Sequence, residues 1–425
     1  MTWLIGTFLV TIAMGIPITF VLGLSAVAYF TFTGQTALLL VVPQRMFAGI
    51  DQFVLLAIPL FVLAGNLMDV GGLTQRLLAL ANLAVGRFRG GTSLTAIWGS
   101  VLFGGVSGSA AADAAALGSV LIPDMKRQGY DVPYAAALVA VASVIAPLIP
   151  PSIAMIIYGA LSGTSIARLM VGGLAPALLL ATGLSIYALW TAARHGYPRS
   201  AAPGRAEIGR TVAAAAPVLL LPVIIVGGIR GGVFTATEAA AVAVFYAIAV
   251  AAGVYRALGW MHLRKALLDT AVISASIYML VAMAGISAFI FAREQVPQSI
   301  VQGLFAISTN KAVVLLMVNV VLLFLGMFLD VAGILILTVP ALVGVGQALG
   351  MDPVHTGVMV VFNVLIGFVH PPVGLCLFIV ASISRAPIER IAISSLPMIG
   401  VALVVLMVVT FVPDVALFLP RLLLD

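Results

Sequence analysis

Charge is scarce in this chain. Asp, Glu, Lys and Arg make up 8% of its 425 residues, against roughly 25% in soluble domains, which excludes an ordinary water-soluble globule. Cysteine is nearly absent. A single Cys376 rules out an internal disulfide or a cysteine-built metal site, and it reads as a small apolar packing residue. The sequence has no GxxxxGK[ST] and no HExxH, which removes ATP hydrolysis and zinc proteolysis. Gly105-Val-Ser-Gly-Ser109 misses GxSxG by one residue and falls in an apolar hairpin, which argues against a serine hydrolase. The chain is therefore not expected to be an enzyme. Its first residues, Met1-Thr-Trp-Leu-Ile-Gly6, lack a basic n-region, so a retained first helix is expected and not a cleaved leader.

Hydrophobic residues account for 63% of the chain. Apolar runs of at least ~18 residues, long enough to span a bilayer, recur along its length. They predict an all-α polytopic membrane protein embedded in a lipid bilayer. Spans are expected near 3–30, 53–70, 131–160, 169–192, 211–229, 237–256, 267–290, 354–383 and 391–415. Two further stretches, 93–122 and 313–340, are apolar but broken near their middles. Each reads as a hairpin that enters and leaves on one side. Of the 20 Lys and Arg, Arg45, Arg168, Arg230, Arg293, Lys311 and Arg421 fall on one side, leaving 20 − 6 = 14 on the other. Basic residues favour the cytoplasmic side. The count therefore puts the N-terminus inside and, after nine crossings, the C-terminus outside. The net charge of +6 follows from this topology and implies no nucleic acid, since no aromatic-basic motif accompanies it.

The two halves repeat each other. Gly104-Gly-Val-Ser-Gly-Ser-Ala-Ala-Ala-Asp113 is followed by Pro123, Gly129-Tyr-Asp131 and Pro150-Pro151. Asp330 is followed by Pro340, Gly350-Met-Asp352 and Pro371-Pro372. The offsets are 330 − 113 = 217 and 371 − 150 = 221. Asp113 and Asp330 are thus expected at equivalent positions. The first repeat covers 1–193, with hairpin 93–122 and broken helix 131–160. A polar linker plus a connecting helix covers 194–236. The second repeat covers 237–425, with hairpin 313–340 and broken helix 354–383. The charge-derived topology inverts one half relative to the other. Matched broken segments in inverted halves point to a transporter with its site at the midplane.

The breaks have their own chemistry. Non-helical backbone at membrane depth survives only where protein or a water-filled cavity satisfies it. Gly108 opens a turn between the hydroxyls of Ser107 and Ser109, and the prolines from Pro147 to Pro151 free carbonyls from the helix ladder. Hydroxyl and carbonyl oxygens suit a hard monovalent cation such as sodium, while helix N-termini at the same breaks attract anions. Gly326, Asp330 and the stretch Asn363 to Pro372 repeat the pattern.

Ionisable residues at membrane depth are functional candidates by default. Asp113 and Asp330 either orient a hairpin tip or add charge near an ion. The first role is favoured, because a carboxylate beside a carboxylate substrate repels it. Glu238 follows Thr235 and Thr237 at a helix start, where capping competes with function. Arg293 could pair with an organic carboxylate or snorkel to the interface. His370, directly before a double proline, could ligate, titrate or pack. Asn66, inside a span, could hydrogen-bond between helices.

At Asp51-Gln-Phe-Val-Leu-Leu-Ala-Ile-Pro-Leu-Phe-Val-Leu-Ala-Gly65, Leu102-Phe-Gly-Gly-Val-Ser-Gly-Ser109, Gly232-Val-Phe-Thr-Ala-Thr-Glu-Ala-Ala-Ala241 and Gly326-Met-Phe-Leu-Asp330, the chain resembles the DctM-like large membrane subunit of tripartite ATP-independent periplasmic (TRAP) transporters. The resemblance covers essentially the whole chain. It implies an elevator-type secondary transporter in the bacterial inner membrane that imports organic acids, such as C4-dicarboxylates or sialic acid, on a sodium gradient. It implies two partners, a small four-helix DctQ-like membrane subunit and a periplasmic DctP-like substrate-binding protein. With no small-subunit sequence ahead of Met1, the separate-subunit arrangement is expected. The alternative is a stand-alone ion-coupled symporter or antiporter of organic anions that needs no capture protein.

The resemblance also implies two sodium sites, with no organic cofactor. The first involves Ser107, Ser109 and backbone from Ile145 to Pro150. The second involves Gly326, Asp330, Asn363 and backbone from Val369 to Pro371, with His370 beside it. Gly108, Asp113, Glu238 and Arg293 are candidates for substrate or hairpin contacts. The chain departs from the family pattern at Ala146, Ala236 and His370, where Gly, Pro and Thr are expected. The last removes a hydroxyl ligand from the second site.

Overall fold

A computed structural model describes residues 2–70, 72–199 and 204–424. Among them the chain is helical throughout, with no strand. Seven helices are long and apolar enough to cross a membrane, and a bent pair makes up to eight.

The expected single span 3–30 is instead two helices, α1 (Thr2–Ala13) and α2 (Ile18–Phe32). Gly15 takes a left-handed conformation (φ +76°) and Pro17 precedes α2, so the helix ladder stops between them. At 12 and 15 residues, the helices run about 18 and 23 Å, short of a ~30 Å hydrocarbon core. Trp3 stacks on Phe32 with ring centroids 4.6 Å apart, so α2 folds back on α1. After a 3₁₀ turn, α3 (Val41–Ile50), α4 (Ala57–Val70) and α5 (Leu73–Val85) follow.

The stretch 93–122 forms the hairpin α6 (Gly91–Ser107) and α7 (Ala110–Arg127), with only Gly108 and Ser109 between the helices. The segment 131–160 breaks as expected. α8 (Val132–Ala142) tightens into a 3₁₀ turn over Ser143–Leu148, passes the double proline and restarts as α9 (Ile153–Ser162), bent by 47°. α10 (Ile166–His195) then runs back. The expected linker includes residues 200–203, which lie outside the described residues; α11 (Arg205–Arg230) follows.

α12 (Ala236–Ile248) and the 34-residue α13 (Trp260–Arg293) lead through α14 (Val296–Ile307) to the second hairpin, α15 (Lys311–Gly326) and α16 (Val331–Ala348). The second broken helix is α17 (Pro353–Gly367) and α18 (Leu375–Ser384). α19 (Ile388–Phe411) and the short α20 (Pro413–Leu424) close the chain. The repeats interlock: α7 packs on α18 and α16 on α9, so each hairpin rests on the broken helix of the other half. Both Pro-Pro bonds, Pro150-Pro151 and Pro371-Pro372, are cis.

The caps correct the register of the repeats. Ser109 caps α7 and Asp330 caps α16; Asp131 caps α8 and Asp352 caps α17. The offsets 330 − 109, 352 − 131 and 371 − 150 are all 221. Asp330 is therefore the counterpart of Ser109, not of Asp113. The apparent slip of four residues came from matching one carboxylate to another when the shared element is a helix start.

The ends of the molecule also differ from the expectation. Tyr29, near the end of α2, hydrogen-bonds Glu294 just past α13 (2.5 Å), while Ile18, at the start of α2, lies 3.5 Å from where a Cβ on Gly333 would be, beside the second hairpin tip. α2 thus rises from hairpin-tip depth to the Arg293 end, and Trp3 returns α1 to that end. α20 packs on α10 at that same end, with Ala416 against Gly172. Within the described residues, 2–32 turns back where a single crossing was expected.

Candidate functional site

Each break supplies one helix end of each polarity. α6, α15, α17 and the 3₁₀ turn after α8 stop at the breaks; α7, α9, α16 and α18 restart there, and in the first three one first-turn N–H is taken by the side chain of Ser109, Ser152 or Asp330. Four of these restarts border one cavity of about 210 Å³. Its walls include Ser109, Ala110, Ile153, Ala154, Asp330, Val331, Ala332 and Leu375, with Gly108, Pro147 and Phe368 at the breaks. Ile273 and Ile277 of α13 form the remaining wall. Converging N-termini favour an anion without a basic side chain, and converging C-termini favour a cation.

The first repeat is assembled around Gly108. Its φ of +58° suits glycine, and a Cβ there would lie 2.2 Å from the carbonyl oxygen of Pro151. The hairpin tip therefore rests directly on the broken helix. Gly104 makes a second close approach, since its Cβ would fall 2.7 Å from Cα of Ala146. Ser107 Oγ is buried and has no hydrogen-bond partner. Ser109 accepts from the Ala112 amide at 3.4 Å. Ile145 and Pro150 are buried in the break beneath the tip. Asp113 is elsewhere: fully buried inside the hairpin, it accepts from Ser100 Oγ at 2.6 Å, joining α7 to α6.

In the second repeat Gly326 meets Gly367, with a Cβ on Gly367 only 2.5 Å from Cα of Gly326. Asn363, one turn earlier, is fully buried; its amide nitrogen is engaged and its Oδ1 is left without a partner. Asp330 caps α16 by accepting from the Gly333 amide at 3.3 Å and lines the cavity. His370 is half-buried and its Nδ1 lies 2.7 Å from the Pro371 carbonyl oxygen. A carbonyl can only accept, so Nδ1 carries the proton and donates to it.

Unpartnered buried oxygens are costly and rare. Of the buried side-chain oxygens left without a partner, which also include Gln35 Oε1, Asp113 Oδ1, Tyr130 Oη, Thr191 Oγ1 and Ser274 Oγ, those of Ser107 and Asn363 lie on the segments that form the breaks and fit a cation that would complete them. Among the described residues no cluster of three His, Cys, Asp or Glu offers a transition-metal site. The available donors are hydroxyl, amide and backbone oxygens.

Two further candidates lie away from the cavity. Glu238 is exposed and completes a capping box, its Oε2 accepting from the amide and hydroxyl of Thr235, both at 2.8 Å. Arg293 is exposed at the end of α13, sixteen residues past Ile277, or about 24 Å along the helix. Two residues that the sequence reading passed over do serve the breaks. Ser152 caps α9 and donates to the Pro147 carbonyl across the double proline; a serine just before a helix start is the signal for it. Asn319, a lone amide in apolar α15, holds Asn363. The same reasoning that singled out Asn66, which here bonds Thr270 at 3.0 Å, applies to it.

Paired hairpins and broken helices meeting head to head define a secondary-transporter architecture of inverted repeats. The YdaH transporter of Alcanivorax borkumensis has a similar fold, with TM-score 0.64, 16% identity and coverage of 89% of this chain and 88% of that one. The profile of the tripartite ATP-independent periplasmic transporter DctM component matches residues 5–415. The chain is 39% identical over 413 residues to the sialic acid TRAP transporter large permease protein SiaM of Vibrio cholerae, covering 96% of each. It is 38% identical over 416 residues to the isethionate TRAP transporter permease protein DctMQ of Oleidesulfovibrio alaskensis, covering 98% of this chain and 65% of that longer protein. The chain belongs to the DctM family, the large membrane component of TRAP transporters.

Proposed function

We propose that this chain moves organic anions across the bacterial inner membrane, coupled to sodium, after delivery by a periplasmic binding protein. The observation that carries the reading is the cavity bordered by four helix N-termini, which favour an anion; the unpartnered buried oxygens of Ser107 and Asn363, outside its lining, support the cation. Relatives named for sialic acid and isethionate both transport anions, one a carboxylate and one a sulfonate. Sodium would supply the positive charge that draws the two hairpin tips and the anion together. Ser107, Ser109 and the carbonyls of Ile145 and Pro150 would hold one ion; Gly326, Asp330, Asn363 and the Pro371 carbonyl would hold the other. Gly108 seats one tip on its broken helix, and Ser152 and Asp330 fix the helix starts.

The hairpins and broken helices form one packed body, while α12 and α13 each pack on α4 beside it. This division suits an elevator, in which the hairpin body carries the site past a fixed wall that includes Ile273 and Ile277. The family's tripartite description and the extra length of the relative named DctMQ support a small four-helix membrane subunit and a capture protein as partners. The basic-residue bias favours a cytoplasmic side for Arg76, Arg87 and Arg127; with α1 and α2 folded back on each other, the start of α1 and α20 would then lie on the periplasmic side.

The test is uptake of labelled organic acids into proteoliposomes holding this chain and its small-subunit partner. An inward sodium gradient and the binding protein are each present or omitted. Uptake that needs both is expected. Uptake driven by an ion gradient alone would replace the tripartite reading with a stand-alone symporter.

A further inference from the structure

We infer that Asn319 and Thr410 are positioning residues for the second cation site, forming a buried relay that holds the Asn363 amide with its oxygen free. The inference rests on the sodium-coupled reading above. Asn319, Asn363 and Thr410 come from α15, α17 and α19 and are 1%, 0% and 1% exposed. Unpaired polar groups are expensive in such surroundings, so each hydrogen in the chain of contacts has a determinate place. Thr410 Oγ spends its one proton on the Leu406 carbonyl at 2.8 Å. It can then only accept from Asn319, whose Nδ2 lies at 3.2 Å.

That contact turns the Asn319 amide so that its Oδ1 faces Asn363, 2.7 Å from Asn363 Nδ2. The backbone carbonyl of Asn319 takes the same nitrogen at 3.0 Å. Both hydrogens of the Asn363 amide are thereby spent, and Oδ1 remains buried and unpartnered. The relay ends in an acceptor, which is the end a cation needs. At the offset of 221 the first repeat has Trp98, Ala142 and Leu189 in these places, so the device belongs to the second repeat alone.

The test is a sodium titration of the purified full chain, without substrate or partners, read as thermal stabilisation relative to choline chloride at equal ionic strength. A ligand bound to the folded state raises stability with concentration. Partners that orient a ligating group typically contribute 10–100-fold to metal affinity. Asn319→Leu is expected to raise the half-maximal sodium concentration about tenfold. Thr410→Val, nearly isosteric, should raise it less, and Thr410→Ser should restore it. A purely structural role would lower the melting temperature equally in sodium and choline and leave the midpoint unmoved; that result in both variants overturns the inference. If Asn319→Leu does not fold, Thr410→Val against Thr410→Ser decides. A wild-type chain that shows no sodium response would instead overturn the sodium-coupled reading itself.

Discussion

Asp330 and Ser109 hold the same place in the two repeats, each capping the second helix of its hairpin at the edge of the cavity. One is an acid and the other a hydroxyl, so the two halves of a pseudo-symmetric site differ by an ionisable group. Asp330→Ala removes both cap and charge and is expected to abolish uptake while the chain stays folded. Asp330→Asn keeps a good N-cap and removes only the charge, and it is also expected to abolish uptake. Near-normal uptake by the Asn variant would reduce Asp330 to a cap.

Gly108 allows the tightest approach between a hairpin tip and a broken helix. Gly108→Ala forces a Cβ to within 2.2 Å of the Pro151 carbonyl oxygen, and the left-handed backbone alone adds about 1–2 kcal/mol. The tip must lift, so uptake should fall to background with a modest loss of melting temperature. Wild-type transport by this variant would show that the tip need not seat.

Asp113 joins α7 to α6 through Ser100 and does not touch the cavity. Asp113→Ala leaves the Ser100 hydroxyl buried without that acceptor, a loss of roughly 1–3 kcal/mol. Melting temperature should drop while the sodium midpoint stays at the wild-type value. A shifted midpoint with unchanged stability would place Asp113 at the ion.

His370 donates to the Pro371 carbonyl, an oxygen assigned above to the second cation. His370→Thr removes the ring that occupies this oxygen and adds a hydroxyl. Half-maximal uptake should then need less sodium. An unchanged sodium curve would make His370 a packing residue.

Membrane placement, the hairpins and the broken helices were legible in the sequence because each rests on local chemistry. Apolar runs specify spans, and glycine or proline within them specifies where the ladder fails. The break at Gly15 and Pro17 carries the same signal, yet hydropathy runs unbroken across 3–30. Its fold-back depends on Trp3 meeting Phe32, a contact that hydropathy does not record. The repeat register failed for a related reason. Asp113 and Asp330 share a residue type, whereas the geometry common to the two repeats is the helix start that Ser109 and Asp330 both cap.

The sequence by itself determined that this chain lives in a membrane, that its halves repeat, and that each half is broken twice by residues unable to continue a helix. Only the tertiary structure decided that the four restarted helices border one cavity. It alone placed Asp113, Glu238 and Arg293 away from that cavity and left the oxygens of Ser107 and Asn363 without partners. Helix breaks follow from the backbone limits of neighbouring residues. Convergence and hydrogen-bond partnership depend on packing between segments about 220 residues apart, which no local pattern encodes.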